Sequence, residues 1–181
     1  FSQPWRIFTY MFLHGSITHL LFNMYGIYLF VTFLESKLGW KRTLLIYFAS
    51  GLISAVLYAG GFSVLGLPLQ ALGASGALMG LIGALILILP HLQLLFMFVI
   101  PMPLWVAGIV FFFLDLFGAF SPNNVANLAH IFGMASGLCF GWYYKKKSVG
   151  FQKRFRKKNS SDSSMEMSEQ EVDDYLKYGR I

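Results

Sequence analysis

Residues 127–144 read NLAHIFGMASGLCFGWYY, and Lys145, Lys146 and Lys147 follow at once. The run is close to the roughly 20 apolar residues that a helix needs to cross a bilayer, yet it carries a histidine near its start. Gly133, Gly137 and Gly141 recur every fourth residue. That spacing lines them on one helix face, a stripe along which a second membrane helix can approach backbone to backbone. A partner stripe stands upstream. In GASGALMGLIGALILIL, residues 73–89, Gly76, Gly80 and Gly83 line a second narrow face.

The composition around these runs excludes an ordinary soluble domain. Of 181 residues, 56% are hydrophobic, 18% aromatic and 12% charged, against roughly 25% charged in soluble domains. Mean hydropathy is +0.61. Between Thr43 and Tyr144 the only Asp, Glu, Lys or Arg is Asp115. The fold class expected is an all-α polytopic membrane protein. Its apolar runs fall at about Ile17–Leu34, Leu44–Tyr58, Ala74–Leu89, Leu92–Leu114 and Val125–Tyr144. Turn chemistry separates them at Gly39, at Gly60-Gly61 with Pro68, at Pro90 and at Ser121-Pro122-Asn123-Asn124. The first run lacks the basic leader and cleavage site of a signal peptide.

Basic residues give the orientation. Lys37, Lys41 and Arg42 follow the first span, and eight Lys and Arg between Lys145 and Lys158 follow the last. The 59–73 and 115–124 connections have none. The expected arrangement puts Phe1–Ser16 outside and the C-terminus in the cytoplasm, in a multi-pass protein of the plasma membrane. Residues 1–144 form the membrane core, and 145–181 a basic, then acidic, largely disordered tail. The net charge of +6 flanks hydrophobic spans instead of forming a groove, so no nucleic-acid partner is expected. Cys139, the lone cysteine, excludes a disulfide framework. No cluster has metal-ligand spacing, since His14 and His19 stand five apart without a carboxylate, and no cofactor is expected. The partners expected are the lipid bilayer and transmembrane protein substrates; the sequence leaves the oligomeric state open.

Strongly polar groups inside spans are costly and mark function. His19 and Asn23 share one face of the first span, Ser75 opens the third, and His130 lies early in the fifth. The alternation brings all four toward the outer side. If the two glycine stripes pair, Ser75 comes within reach of His130, the nucleophile–base arrangement of acyl transfer. His19, Asn23 and the backbone N–H of Ser75 would then face a developing oxyanion. Each residue has a plainer reading: Ser75 bonded to its own backbone, His130 in a proton relay, His19 with Asn23 as interhelical glue. One geometry accounting for all four favours the catalytic reading. Asp115 reads as an anchor at the end of the fourth span, with membership of a triad the weaker alternative.

At these residues the sequence resembles the rhomboid intramembrane serine proteases, from Trp5 to about Trp142. HGSITHLLFN matches the family's HxxxxHxxxN run with His14, His19 and Asn23. GASG matches GxSG with Ser75, and AHIFGMASG matches AHxxGxxxG with His130, Gly133 and Gly137; Asn127 also fits. Trp5-Arg6 resembles a pair in the first outer loop, and Glu35 with Gly39 the ExxxG closing the second helix. The resemblance implies a six-helix core, so that this chain, with five, would lack the first. It further implies a Ser75–His130 dyad without an acid, and His19 and Asn23 at the oxyanion. Met79 stands where members often carry an aromatic residue beneath the histidine ring. The activity implied is hydrolysis of a peptide bond in or beside a transmembrane helix, through an acyl-enzyme. The fourth run, with Pro101, Pro103 and five Phe from Phe96 to Phe113, reads either as a lateral gate or as a lipid-facing aromatic helix. A non-cleaving binding protein, a small transporter and a purely structural subunit are the competing classes. The intact serine and histidine, the missing inverted repeat and the four polar groups argue against them in turn.

Overall fold

A computed structural model describes residues 3–64, 72–96, 99–119 and 127–158, with Ser168, Gln170, Glu171 and Asp174. Pro68, the Ser121–Asn124 turn, Val125 and most of the expected tail lie outside the described residues. The chain runs through a short helix α1 (Arg6–Thr9), a 3₁₀ turn (Tyr10–Phe12), α2 (Ile17–Leu38), α3 (Trp40–Val64) and α4 (Ser75–Ile88). A hairpin of β1 (Gln93–Phe96) and β2 (Ile100–Pro103) follows, then α5 (Leu104–Gly118) and α6 (Asn127–Lys158).

The burial pattern is that of a bundle in lipid. The buried residues of α2 are Asn23, Gly26, Phe30, Leu34 and Leu38, a stripe at helical spacing. Its opposite face leaves Ile17, Leu21, Phe22 and Tyr28 exposed. A continuous outer face of large apolar side chains is stable only where the solvent is itself apolar. By length and hydropathy, Ile17–Leu38 and Trp40–Gly61 are the two described helices able to cross a membrane, while Ser75–Ile88 and Leu104–Gly118 are shorter apolar helices.

Gly39 makes the corner between α2 and α3. Its φ of 77° lies in the region that favours glycine, and its N–H donates to Glu35 O at 2.8 Å. Thr43 then donates its hydroxyl to Gly39 O at 3.0 Å, giving Gly39 a structural use.

Helix α4 is the centre, packed by α2, α3, α5 and α6. It buries Gly76, Ala77, Gly80, Leu81, Ile82, Gly83, Ala84 and Leu85, almost its whole circumference. Against α6 the two glycine stripes interlock. A Cβ on Gly133 would meet Gly76 O, one on Gly137 would meet Gly80 O, and one on Gly141 would meet Ala84 O. Two apolar clusters flank this seam. The larger one gathers Phe30, Leu34, Leu38, Ile46, Leu81, Leu85, Leu104 and Tyr144. The smaller one sits beside the start of α4 and holds Tyr10, Met11, Ala55 and Ala77.

Two expectations need correction. The expected span Leu92–Leu114 is not one helix. Its first half holds the antiparallel hairpin, with Leu95 opposite Pro101 and Gln93 opposite Pro103, and the helix begins only at Leu104. Pro101 and Pro103 have no N–H for a helical ladder, and each pushes its preceding residue toward extended backbone. The other end moves outward as well, since α5 continues past Leu114 to Gly118 and takes Asp115 into its last turn. In addition, α6 does not stop at Tyr144. It runs to Lys158, so the expected boundary between 144 and 145 falls inside a helix.

Candidate active site

The start of α4 is held by three neighbours. Gly73, at φ 105°, donates its N–H to Tyr10 O at 3.0 Å and turns the chain so that Ser75 opens the helix. A Cβ on Gly73 would also lie 2.8 Å from His19 Cε1, so glycine is required there for space as well as for conformation. The 3₁₀ turn that supplies Tyr10 is seated by Met11, 1% exposed, which fills the hollow above Gly51. Burying a methionine is worth about 1.5–3 kcal/mol, against about 0.5–1.5 kcal/mol for one hydrogen bond. The apolar plug therefore does more than the Gly73 bond to fix the loop.

Ser54 of α3 closes the arrangement from beneath. Its hydroxyl donates to Ala129 O at 2.6 Å, and a Cβ on Gly76 would lie 2.6 Å from its Oγ. One small polar side chain thus touches the residue after Ser75 and the residue before His130. Beside it the Tyr10 hydroxyl donates to Gly51 O at 2.8 Å. Burial pushes the Tyr10 phenol up to about 12, against the opposing pull of a Ser54 hydrogen bond.

On this frame Ser75 Oγ lies 2.7 Å from His130 Nε2. The other ring nitrogen, Nδ1, lies 2.8 Å from Asp115 Oδ1. The histidine and aspartate side chains are 18% and 11% exposed. The resemblance implies a pair without an acid, and the sequence favours Asp115 as an anchor at a loop; instead the acid stands on the histidine ring. The local reason is that α5 runs four residues past Leu114 to Gly118, so that Asp115, the first of them, is held in a helix beside α6 and not in a loop.

His19 and Asn23 both border the bend before Ser75. His19 Nε2 would be 2.9 Å and Asn23 Nδ2 3.4 Å from a Cβ on Gly73. Asn23 is buried, and its Nδ2 finds no hydrogen-bond partner among the described residues. Ser16 accepts from the backbone N–H of His19 at 3.1 Å, capping α2 and fixing where its first turn begins. The His14 ring meets that of His19 edge-on at 5.1 Å. Met79 packs into the larger cluster. Tyr10 and Ser54 are site supports that the sequence reading missed, and Gly73 was read only as the first glycine of GASG. Ser54 left a signal, as a polar residue in an otherwise apolar span.

A polytopic helical bundle with a serine–histidine pair at the outer ends of two close-packed helices defines a class of membrane protein. Residues 2–147 match the rhomboid domain. RHOMBOID-like protein 6, mitochondrial, of Arabidopsis thaliana is 35% identical over 166 residues, covering 88% of this chain and 49% of the relative. The rhomboid relative YdcA of Bacillus subtilis is 33% identical over 147 residues, covering 81% of this chain and 70% of YdcA. Rhomboid protease GluP of the same organism is 32% identical over 136 residues, covering 75% of this chain and 25% of GluP. The chain belongs to the rhomboid family, and spans about half the length of the Arabidopsis relative.

Proposed function

We propose that the chain is an intramembrane serine endopeptidase that cuts transmembrane segments of membrane proteins. The observation that carries this reading is the 2.7 Å approach of Ser75 Oγ to His130 Nε2 inside a bundle whose outer surface is apolar. Helix length supports the depth of the site. Fourteen residues make α4 about 21 Å long, shorter than the roughly 30 Å hydrocarbon core. A helix that reaches the inner side therefore starts below the outer one, with Ser75 sunk beneath the surface.

In the reaction, Ser75 Oγ attacks the carbonyl carbon of the scissile bond while His130 Nε2 takes the hydroxyl proton. The bond to Oγ forms as the carbonyl π pair moves onto oxygen. Asn23 Nδ2, His19 and the backbone N–H of Ser75 meet that oxyanion. Collapse expels the amine, which takes the proton from His130 and leaves an acyl-serine. Water then attacks the ester, His130 again accepting and returning a proton. Every peptide bond of an intact helix is shielded, so a substrate carries Gly or Pro near a small residue at the cut. The basic end of α6 lies on the cytoplasmic side of the plasma membrane, and the site opens to the other side.

A fluorophosphonate probe tests the nucleophile. Wild type in detergent is expected to label and to cleave a model transmembrane substrate, and Ser75→Ala to do neither. Equal labelling of wild type and Ser75→Ala would overturn the assignment.

A further inference from the structure

Asp115 is expensive where it stands. It is the one charged residue between Thr43 and Tyr144, and it is buried at 8% exposure. Its Oδ2 finds no hydrogen-bond partner among the described residues. It also sits in the last turn of α5, where the helix dipole is negative and disfavours a carboxylate. A buried acid with one oxygen unsatisfied is poor support for a fold, and an apolar side chain would join α5 to α6 more cheaply. What the position does offer is the 2.8 Å approach of Oδ1 to His130 Nδ1, on the far side of the ring from Ser75.

We propose that Asp115 is a positioning residue for His130, making a Ser75–His130–Asp115 triad in a chain whose family resemblance implies a dyad. The proposal rests on the serine-protease reading above. The carboxylate accepts the Nδ1–H, which leaves the lone pair on Nε2 and aims it at the Ser75 hydroxyl. When Nε2 takes the serine proton the ring carries N–H on both sides. The Asp115 carboxylate holds the imidazolium, and the new Nε2–H is the proton later delivered to the leaving amine. Because α5 supplies the acid while α4 and α6 supply the other two groups, the triad is complete only when α5 is seated against α6.

The test uses Asp115→Asn, which keeps size and removes charge, with Asp115→Glu as the conservative variant. We expect D115N to lower kcat and the rate of fluorophosphonate labelling by about 10²-fold or more, with KM and melting temperature near those of wild type. Asp115→Glu should recover part of the loss. Nitrogen-15 NMR of the histidines should show His130 protonated at Nδ1 in wild type and redistributed toward Nε2 in D115N. A wild type that labels beside a D115N of equal rate overturns the proposal alone. So does a D115N whose melt falls while kcat per folded molecule holds, since that is an anchor's signature. A wild type that never labels overturns the nucleophile reading and this one with it. If D115N does not fold, the wild-type spectrum decides, and a His130 protonated at Nε2 overturns the triad.

Discussion

The carbonyl oxygen of Gly80 occupies the place where Gly137 would carry a Cβ. Main chain therefore rests on main chain at the seam of α4 and α6, and Ser75 and His130 at one end of it inherit that spacing. We predict that Gly137→Ala forces the helices apart, lowers the melt and cuts cleavage more than about tenfold, since a displacement of about 1 Å at a reacting group costs on the order of 10²-fold. Gly60→Ala is the control, because a Cβ there meets nothing within 4 Å, and its melt should hold or rise. Equal behaviour of the two variants would remove the seam from the argument.

Asn23→Ala should reduce kcat with little change in KM, because the oxyanion exists only in the transition state. Losing one donor costs roughly 10²–10³-fold where few remain, and with His19 and the Ser75 N–H still present the loss should fall at or below the low end. A lowered melt with unchanged kcat would assign Asn23 to packing.

Ser54→Val should be worse than Ser54→Ala. Alanine loses the bond to Ala129 O and the hydrogen bond at Tyr10, each worth about 1 kcal/mol, as valine does too. Valine presses a branched side chain on Gly76, and overpacking of that kind costs about 1–3 kcal/mol. Activity and melting temperature of the pair, measured side by side, check the order; equal losses would show that Ser54 acts through its hydroxyl alone.

Raising pH should destabilise the fold through Tyr10. Its phenol is pushed from 10.0 up to about 12, so the folded state keeps a proton that the unfolded chain gives up. That contribution is whole below about pH 10 and is lost as pH climbs toward 12, at up to about 1.4 kcal/mol per unit. The stability of wild type in detergent should fall more steeply than that of Tyr10→Phe between about pH 10 and 12. Parallel curves would free Tyr10 of the effect.

Activity should survive EDTA and phenanthroline. Among the described residues no three of His, Cys, Asp and Glu gather as metal ligands, and the groups around Ser75 suit proton transfer. Loss on chelation with recovery on adding zinc would refute the serine mechanism.

Much of this was legible in the residues themselves. Glycine at every third or fourth position in two apolar runs fixes which faces meet, and Ser75 and His130 sit at matching ends of those faces. The hairpin was not read because hydropathy is blind to period, and 92–103 is as apolar as any span; Pro101 and Pro103 were the available signal. Asp115 was misjudged for another reason. Its partner lies fifteen residues on across a connection, and contact between neighbouring helices depends on where each one ends. The Tyr10–Gly73 and Ser54–Ala129 bonds are long-range and leave no periodic trace.

Cys139 stands nine residues after His130 on the same helix, which places it about 13.5 Å along the axis and half a turn round. It is exposed and lines the apolar groove between α3 and α6 with Leu45, Ile53 and Leu57. The molecule thus carries a ready attachment point for a spin label or fluorophore, with no other thiol to remove. A probe there rides on the rod that bears His130 while facing away from Ser75. Movements of α6 during turnover can be followed in the native sequence.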